Sequence, residues 1–226
     1  AHVRDIADIV GHYYPVNVID VEHQEELDGW TFADLVDYFE DEERIAVVRH
    51  GQQEESTTLS ASLLSSSREG LRRKASVAFI NKTRHRVLNQ ISFEFSNTKL
   101  LEKVRSPQFV RELDWIDNVW PDTWRHQRKL YPAVQYYCLT SAAGCYTDFH
   151  LDFGGTSVWY HVLSGSKEFV LIEPTQENLK VYEEWLCRKD QAQVFLPTML
   201  PESTDVLKIR LEQDQTFIIP SGWIHA

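Results

Sequence analysis

The spacing of apolar positions changes several times along the chain. Near the start, Val16-Asn17-Val18-Ile19-Asp20-Val21 reads as a short strand. A helix is expected from about Thr31, where Phe32, Leu35, Val36 and Phe39 recur at helical spacing. Thr31 is placed to cap it, with Asp34 at the capping-box distance. From Gly51 to about Ser76, Ser, Thr, Gln and Glu dominate and apolar periodicity stops, apart from Leu63-Leu64. This stretch, which includes the basic cluster Arg72-Arg73-Lys74, is expected to be a long mobile insertion.

A second helical period runs from Pro107 to Trp120, with Phe109, Val110, Leu113, Ile116 and Trp120 as its core stripe. From Tyr136 the pattern becomes that of a β protein. Strands are expected at Tyr136–Leu139, Ser157–Leu163, Glu168–Ile172, Val206–Ile209 and Thr216–Pro220, interrupted by a helix over Thr175–Trp185. Gly165, in Leu163-Ser164-Gly165-Ser166-Lys167, is expected to close a hairpin. The whole predicts a mainly β fold with flanking helices, of α+β class, its strands forming a sandwich or barrel.

Composition sharpens this only slightly. The 226 residues, 42% hydrophobic and 25% charged, can bury one core. A formal net charge of -11 argues against direct binding to DNA and is compatible with a cationic partner such as a basic peptide. The three cysteines, Cys138, Cys145 and Cys187, show no C-x-x-C spacing and suit reduced thiols better than a disulfide framework or zinc finger. No apolar run approaches the length of a membrane span, and no signal peptide is expected.

Candidate chemistry concentrates in Tyr146-Thr147-Asp148-Phe149-His150-Leu151-Asp152. In a strand, His150 and Asp152 leave the same face and can converge on one ion. With one more distant His they make a two-His, one-carboxylate triad, which suits iron(II) and leaves coordination positions open. With nine His in the chain, an H-x-D triplet alone is weak, and His23-Gln24-Glu25 is a decoy of the same kind in a charged loop. The third ligand is expected at His225, where Ile218-Ile219 enters the turn Pro220-Ser221-Gly222 and a His follows. On local spacing alone, His225 fits a packed or surface histidine equally well.

Taken together, the ordered stretches Cys145–His161, Gly165-Ser166-Lys167, Ile172–Thr175 and Ile219–His225 resemble the JmjC histone lysine demethylases. Within them the chain is most similar to the PHD-JmjC subfamily and its CXXC-containing relatives. The likeness runs from about Arg86 to the end, with a weaker echo at Tyr14–Phe39. It implies a double-stranded β-helix, the cupin-like jelly roll, over residues 86–226 behind a lead-in of residues 1–85, with the C-terminal strands missing. It also implies that His150, Asp152 and His225 hold Fe(2+), and that Lys167 pairs with the distal carboxylate of the co-substrate 2-oxoglutarate. Thr147 and Tyr160 resemble hydroxyl donors to that carboxylate, and Asn97 the amide beside the metal-bound end. Considered alone, Lys167 reads as a surface residue of a turn and Asn97 as a polar turn residue.

The activity so implied uses O2 to oxidise an N-methyl group of mono- or dimethyl-lysine on the histone H3 tail, releasing formaldehyde and succinate, in chromatin within the nucleus. Val87-Leu88-Asn89 and Trp159–Leu163 lean towards the PHD-JmjC relatives and their repressive marks; Gly144-Cys145 and Pro220-Ser221-Gly222 lean towards the CXXC relatives. Two alternatives remain open: a JmjC protein hydroxylase, and a catalytically silent chromatin-binding module. The intact ligand positions and Lys167 argue against the silent one.

Overall fold

The computed structural model describes residues 16–18, 47–49, 88–96, 99–124, 132, 134–141 and 143–226. The helix expected from Thr31, the insertion at 51–76, Asn97 and the decoy at His23 lie outside the described residues. The chain divides into two compact units. One contains residues 1–23, 106–112 and 148–226; the other contains 24–105 and 113–147.

In the second unit, β2 (Val47–Arg49), β3 (Leu88–Glu94) and β4 (Tyr137–Ser141) form an antiparallel sheet in the order β2-β3-β4. The register between β3 and β4 shifts between Gln90 and Phe93. Beyond β3, the backbone N–H of Phe95 donates to the Tyr136 carbonyl at 3.0 Å.

The continuous helix expected over Pro107–Trp120 is instead two short ones, α1 (Gln108–Leu113) and α2 (Trp115–Val119). Asp114 separates them: its carboxylate accepts the N–H groups of Ile116 at 2.7 Å and Asp117 at 3.3 Å, the N-cap arrangement that starts a new helix. The expected core stripe breaks with it. Phe109 is buried, but Leu113 is exposed, and so are Trp115 and Val119.

The first unit carries two three-stranded antiparallel sheets. One has the order β1-β8-β5, built from β1 (Val16–Val18), β8 (Thr216–Ile219) and β5 (Val158–His161). The other has the order β7-β6-β9, from β7 (Val206–Glu212), β6 (Ser166–Ile172) and β9 (Ile224–His225). As the central strand of its sheet, β8 is buried at every position, and after Thr216 it reads as an apolar run.

Strand alternation on β6 separates two cores. Phe169 and Leu171 meet Phe217, Ile219, Leu211, Val162 and Trp223 between the sheets. Ile172 points the other way, into a cluster with Phe149, Tyr182, Trp185, Leu196 and Ile224. Tyr182 and Trp185 come from α3 (Gln176–Leu186), whose N-cap Thr175 accepts the Asn178 N–H at 3.1 Å. Asn178 also donates its side-chain amide to the Glu173 carbonyl at 2.9 Å, fastening the helix to the end of the β6 connection.

The hairpin expected at Gly165 is not formed. β5 pairs with β8 and β6 with β7 and β9, so the turn at Gly165, with φ 82°, carries the chain from one sheet to the other. The backbone groups that a hairpin would have used are taken by a second crossing corner. Val162 donates to Gln215 at 3.1 Å and accepts from Asp214 at 2.7 Å. Paired corners between facing antiparallel sheets are the architecture of a jelly roll, the double-stranded β-helix implied by the sequence.

Candidate metal centre

The three proposed ligands come from two segments held together by backbone. His150 and His225 form an isolated antiparallel bridge, with N–H···O distances of 2.9 Å and 3.0 Å in the two directions. His225 in turn opposes Leu171 on β6. Residues directly opposed in a sheet project from the same face, so both imidazoles join Leu171 on the inner side of the sheet. Their ring centroids are 4.2 Å apart.

The expected strand through His150 and Asp152 reduces to this one bridge. After it the backbone turns, and Asp152 heads a 3-10 turn over Phe153–Gly155. The carboxylate reaches the site from that turn, with its Oδ2 3.7 Å from His225 Nε2. Candidate ligand atoms of His150, Asp152 and His225 all lie within 4.8 Å of one another.

Each histidine has its other nitrogen committed. His150 Nδ1 lies 2.9 Å from the Asp148 carbonyl and His225 Nδ1 lies 3.0 Å from the Trp223 carbonyl. A carbonyl can only accept, so each Nδ1 carries a proton and each Nε2 is the nitrogen left to face a ligand. Burial, and then the neighbouring His150, pushes the His225 pKa down to about 4, with Lys167 acting in the same direction, so His225 is neutral at physiological pH. Two imidazoles, each turned by its Nδ1 contact, and a carboxyl group therefore converge on one point. The donor set fits a divalent transition metal.

Around this point the inner face of β6 is chemically graded. Lys167, Phe169 and Leu171 alternate along one side, and the Phe169 ring is the meeting place: Tyr160 packs edge-on against it at 5.0 Å. Lys167 Nζ lies 5.8 Å from its centroid and the His225 ring 6.4 Å. Tyr160 and Lys167 thus share the interior with the triad. His161 takes the opposite face of β5 and meets the Thr216 hydroxyl at 2.7 Å. Thr147 belongs to the second unit.

Phe169 was not singled out by sequence reasoning, although its place two residues after Lys167 on an alternating strand was a usable signal. Tyr182 was also missed. It is buried, a backbone hydrogen bond joins it to Leu151, between two proposed ligands, and burial raises its pKa. Nothing in the spacing of α3 points to that contact.

The turn before His225 depends on Gly222. Trp223 N–H donates to the Pro220 carbonyl at 3.4 Å while Gly222 adopts φ 84°, as at the third position of a type II turn. A Cβ there would meet Pro174 only at ordinary contact distance, 3.7 Å, so the cost of Gly222→Ala is backbone strain. It is expected to destabilise by about 1–2 kcal/mol and to lower Tm by roughly 2–8 °C. Thermal unfolding of the metal-free protein checks this; an unchanged Tm would show that the turn adopts another geometry.

Comparison with known proteins agrees with this geometry. The family model described as JmjC domain, hydroxylase, matches residues 137–226. Lysine-specific demethylase 2A of Xenopus tropicalis is 51% identical over 155 residues, covering 63% of this chain and 13% of that protein. Lysine-specific demethylase 7A of Mus musculus is 48% identical over 148 residues, 66% of this chain and 15% of the relative. JmjC domain-containing histone demethylation protein 1 of Yarrowia lipolytica is 37% identical over 224 residues, 99% of this chain and 36% of its own length. The chain thus spans well under half the length of each of these relatives. With two facing sheets and a converging His, Asp and His set inside the matched segment, the chain carries a JmjC domain over residues 137–226.

Proposed function

We propose that this chain is the catalytic segment of an iron(II)- and 2-oxoglutarate-dependent histone lysine demethylase. The observation that carries the proposal is the convergence of two imidazoles, each oriented by its Nδ1 contact, and the Asp152 carboxyl group in the interior that also holds Lys167 and Tyr160. His150, Asp152 and His225 hold the iron. When bound, the iron supplies the activation of O2 that oxidises an N-methyl group while 2-oxoglutarate is converted to succinate and carbon dioxide.

The protein's own groups do the rest. Lys167 neutralises the distal carboxylate of the dianionic co-substrate, and Tyr160 offers it a hydroxyl; Thr147 and Asn97 are assigned to it by resemblance alone. Phe169 and Leu171 keep water from the interior, where the Lys167 charge acts at lower dielectric. The substrate is a methylated histone H3 tail, at mono- or dimethyl-lysine of repressive marks, and the setting is chromatin in the nucleus. Relatives named as lysine-specific demethylases support methyl-lysine as the target, and one named as a histone demethylation protein supports a histone as its carrier. Among the described residues, no helix is long and apolar enough to cross a membrane.

The test is mass spectrometry of methylated H3 peptides incubated with the protein, iron(II), 2-oxoglutarate and O2. Demethylation with release of formaldehyde is expected. A stable gain of one oxygen would replace the proposal with a protein hydroxylase, and no succinate at all would leave a silent binding module. Lys167→Ala is expected to raise the 2-oxoglutarate concentration needed for half-maximal turnover on the order of 100-fold, the scale of losing one partner of a desolvated charge pair. Metal binding should be retained. Unchanged dependence on 2-oxoglutarate would remove Lys167 from the co-substrate site.

A further inference from the structure

The backbone bridge fixes His150 to His225, but it ends before Asp152. From Asp152 the chain passes through Phe153–Gly155, with Gly154 and Gly155 at φ 66° and 65°, and then enters β5. The carboxylate ligand therefore rides on a glycine turn, the kind of backbone with the greatest freedom to drift.

Ser221 lies across this turn. Its hydroxyl donates to the Gly155 carbonyl at 2.6 Å, and its backbone N–H donates to the Ser157 hydroxyl oxygen at 2.9 Å. Gly155 is three residues beyond Asp152, and Ser221 is four residues before His225. Two bonds from one residue thus join the segment that delivers the carboxylate to the segment that delivers the second imidazole. The turn is also braced from within, by Thr156 Oγ1 donating to the Phe153 carbonyl at 3.0 Å, so a pull at Gly155 is passed towards Asp152.

We propose that Ser221 is a positioning residue of the metal centre, its hydroxyl holding the Asp152 turn at the distance from His225 that lets one ion bind all three ligands. This rests on the metal-centre assignment. Ser221 touches neither metal nor co-substrate; it acts through Gly155.

The experiment titrates the metal-free protein with cobalt(II), followed by visible absorption, and records Tm of the metal-free form. Ser221→Ala removes the hydroxyl and keeps the backbone N–H. It is expected to weaken cobalt binding roughly 10-fold, the scale seen when groups supporting metal ligands are lost. Because these bonds are partly exposed, the metal-free Tm should move by no more than about 2 °C. Ser221→Thr retains the hydroxyl and should restore affinity to within about threefold of wild type, on the same scale.

Unchanged affinity in Ser221→Ala overturns the proposal. So does a metal-free Tm that falls by much more than this without rescue by Thr, since that is the signature of a general structural role. His150→Ala is titrated alongside. If it binds cobalt as wild type does, the metal-centre assignment fails and the role of Ser221 with it; if only Ser221→Ala is silent, the centre stands and the positioning role fails.

Discussion

Asp152→Ala is expected to lose iron binding almost completely, by well over the roughly 10–100-fold that loss of a supporting group costs, and to lose turnover with it. The carboxylate is the only anionic member of the proposed set. Without it, two imidazoles remain with centroids 4.2 Å apart, and no anionic group offsets the charge of the ion. Asp152→Asn separates charge from shape: an amide of nearly the same size restores packing and not affinity. Folding is expected to change little, by under about 1 kcal/mol, because Asp152 makes no capping hydrogen bond to the turn it heads and is partly exposed. Metal titration with thermal unfolding checks both halves. Added metal should raise Tm in wild type and not in the variants, since a ligand stabilises only the state that binds it. A variant that still gains stability from iron would mean that Asp152 is not a ligand.

The residue types of this centre were legible in the sequence, and the way they come together was not. His150, Asp152 and His225 were proposed from chemistry and motif, and the structure brings their side chains together. Strand periodicity was the wrong local reason. Only His150 is bridged, and Asp152 arrives from a left-handed glycine turn. Strands β5 to β8 were legible because apolar runs bounded by Gly, Ser and Pro are what buried strands require. Their partners were not. The turn at Gly165 has hairpin composition, yet which edge β5 joins is decided by the distant β8, and no local pattern encodes that choice. Asp114 is a similar case: the apolar stripe around it suggested one continuous helix, but its local hydrogen bonds prevailed. Contacts such as Ser221 to Gly155 and Tyr182 to Leu151 join positions far apart in sequence through backbone groups, which leave no trace in residue identity.

Trp185→Ala is expected to be the most destabilising single change among the residues described above, costing about 3–5 kcal/mol for the buried ring. Trp185 is fully buried among Phe149, Ile172, Tyr182, Leu196 and Ile224. Its indole N–H donates to the Val194 carbonyl at 2.7 Å, so truncation also strands an acceptor, which adds roughly 1 kcal/mol. Against a typical total stability of about 5–15 kcal/mol, such a loss brings a marginal protein close to unfolding at body temperature. The consequence reaches the metal centre, because the Phe149 ring meets Trp185 edge-on at 6.3 Å and precedes His150, while Ile224 precedes His225. Both of these ligand-bearing segments are thus seated on the same cluster, from the face opposite the imidazoles. Trp185→Phe keeps most of the aromatic volume and loses the N–H, so about 1–2 kcal/mol is expected. Denaturant unfolding of the metal-free proteins measures the series. Equal, small losses in both variants would show that the cluster collapses around the missing ring and that α3 does not support the centre; a large loss in Ala with partial recovery in Phe, paralleled by metal affinity, is the outcome the packing requires.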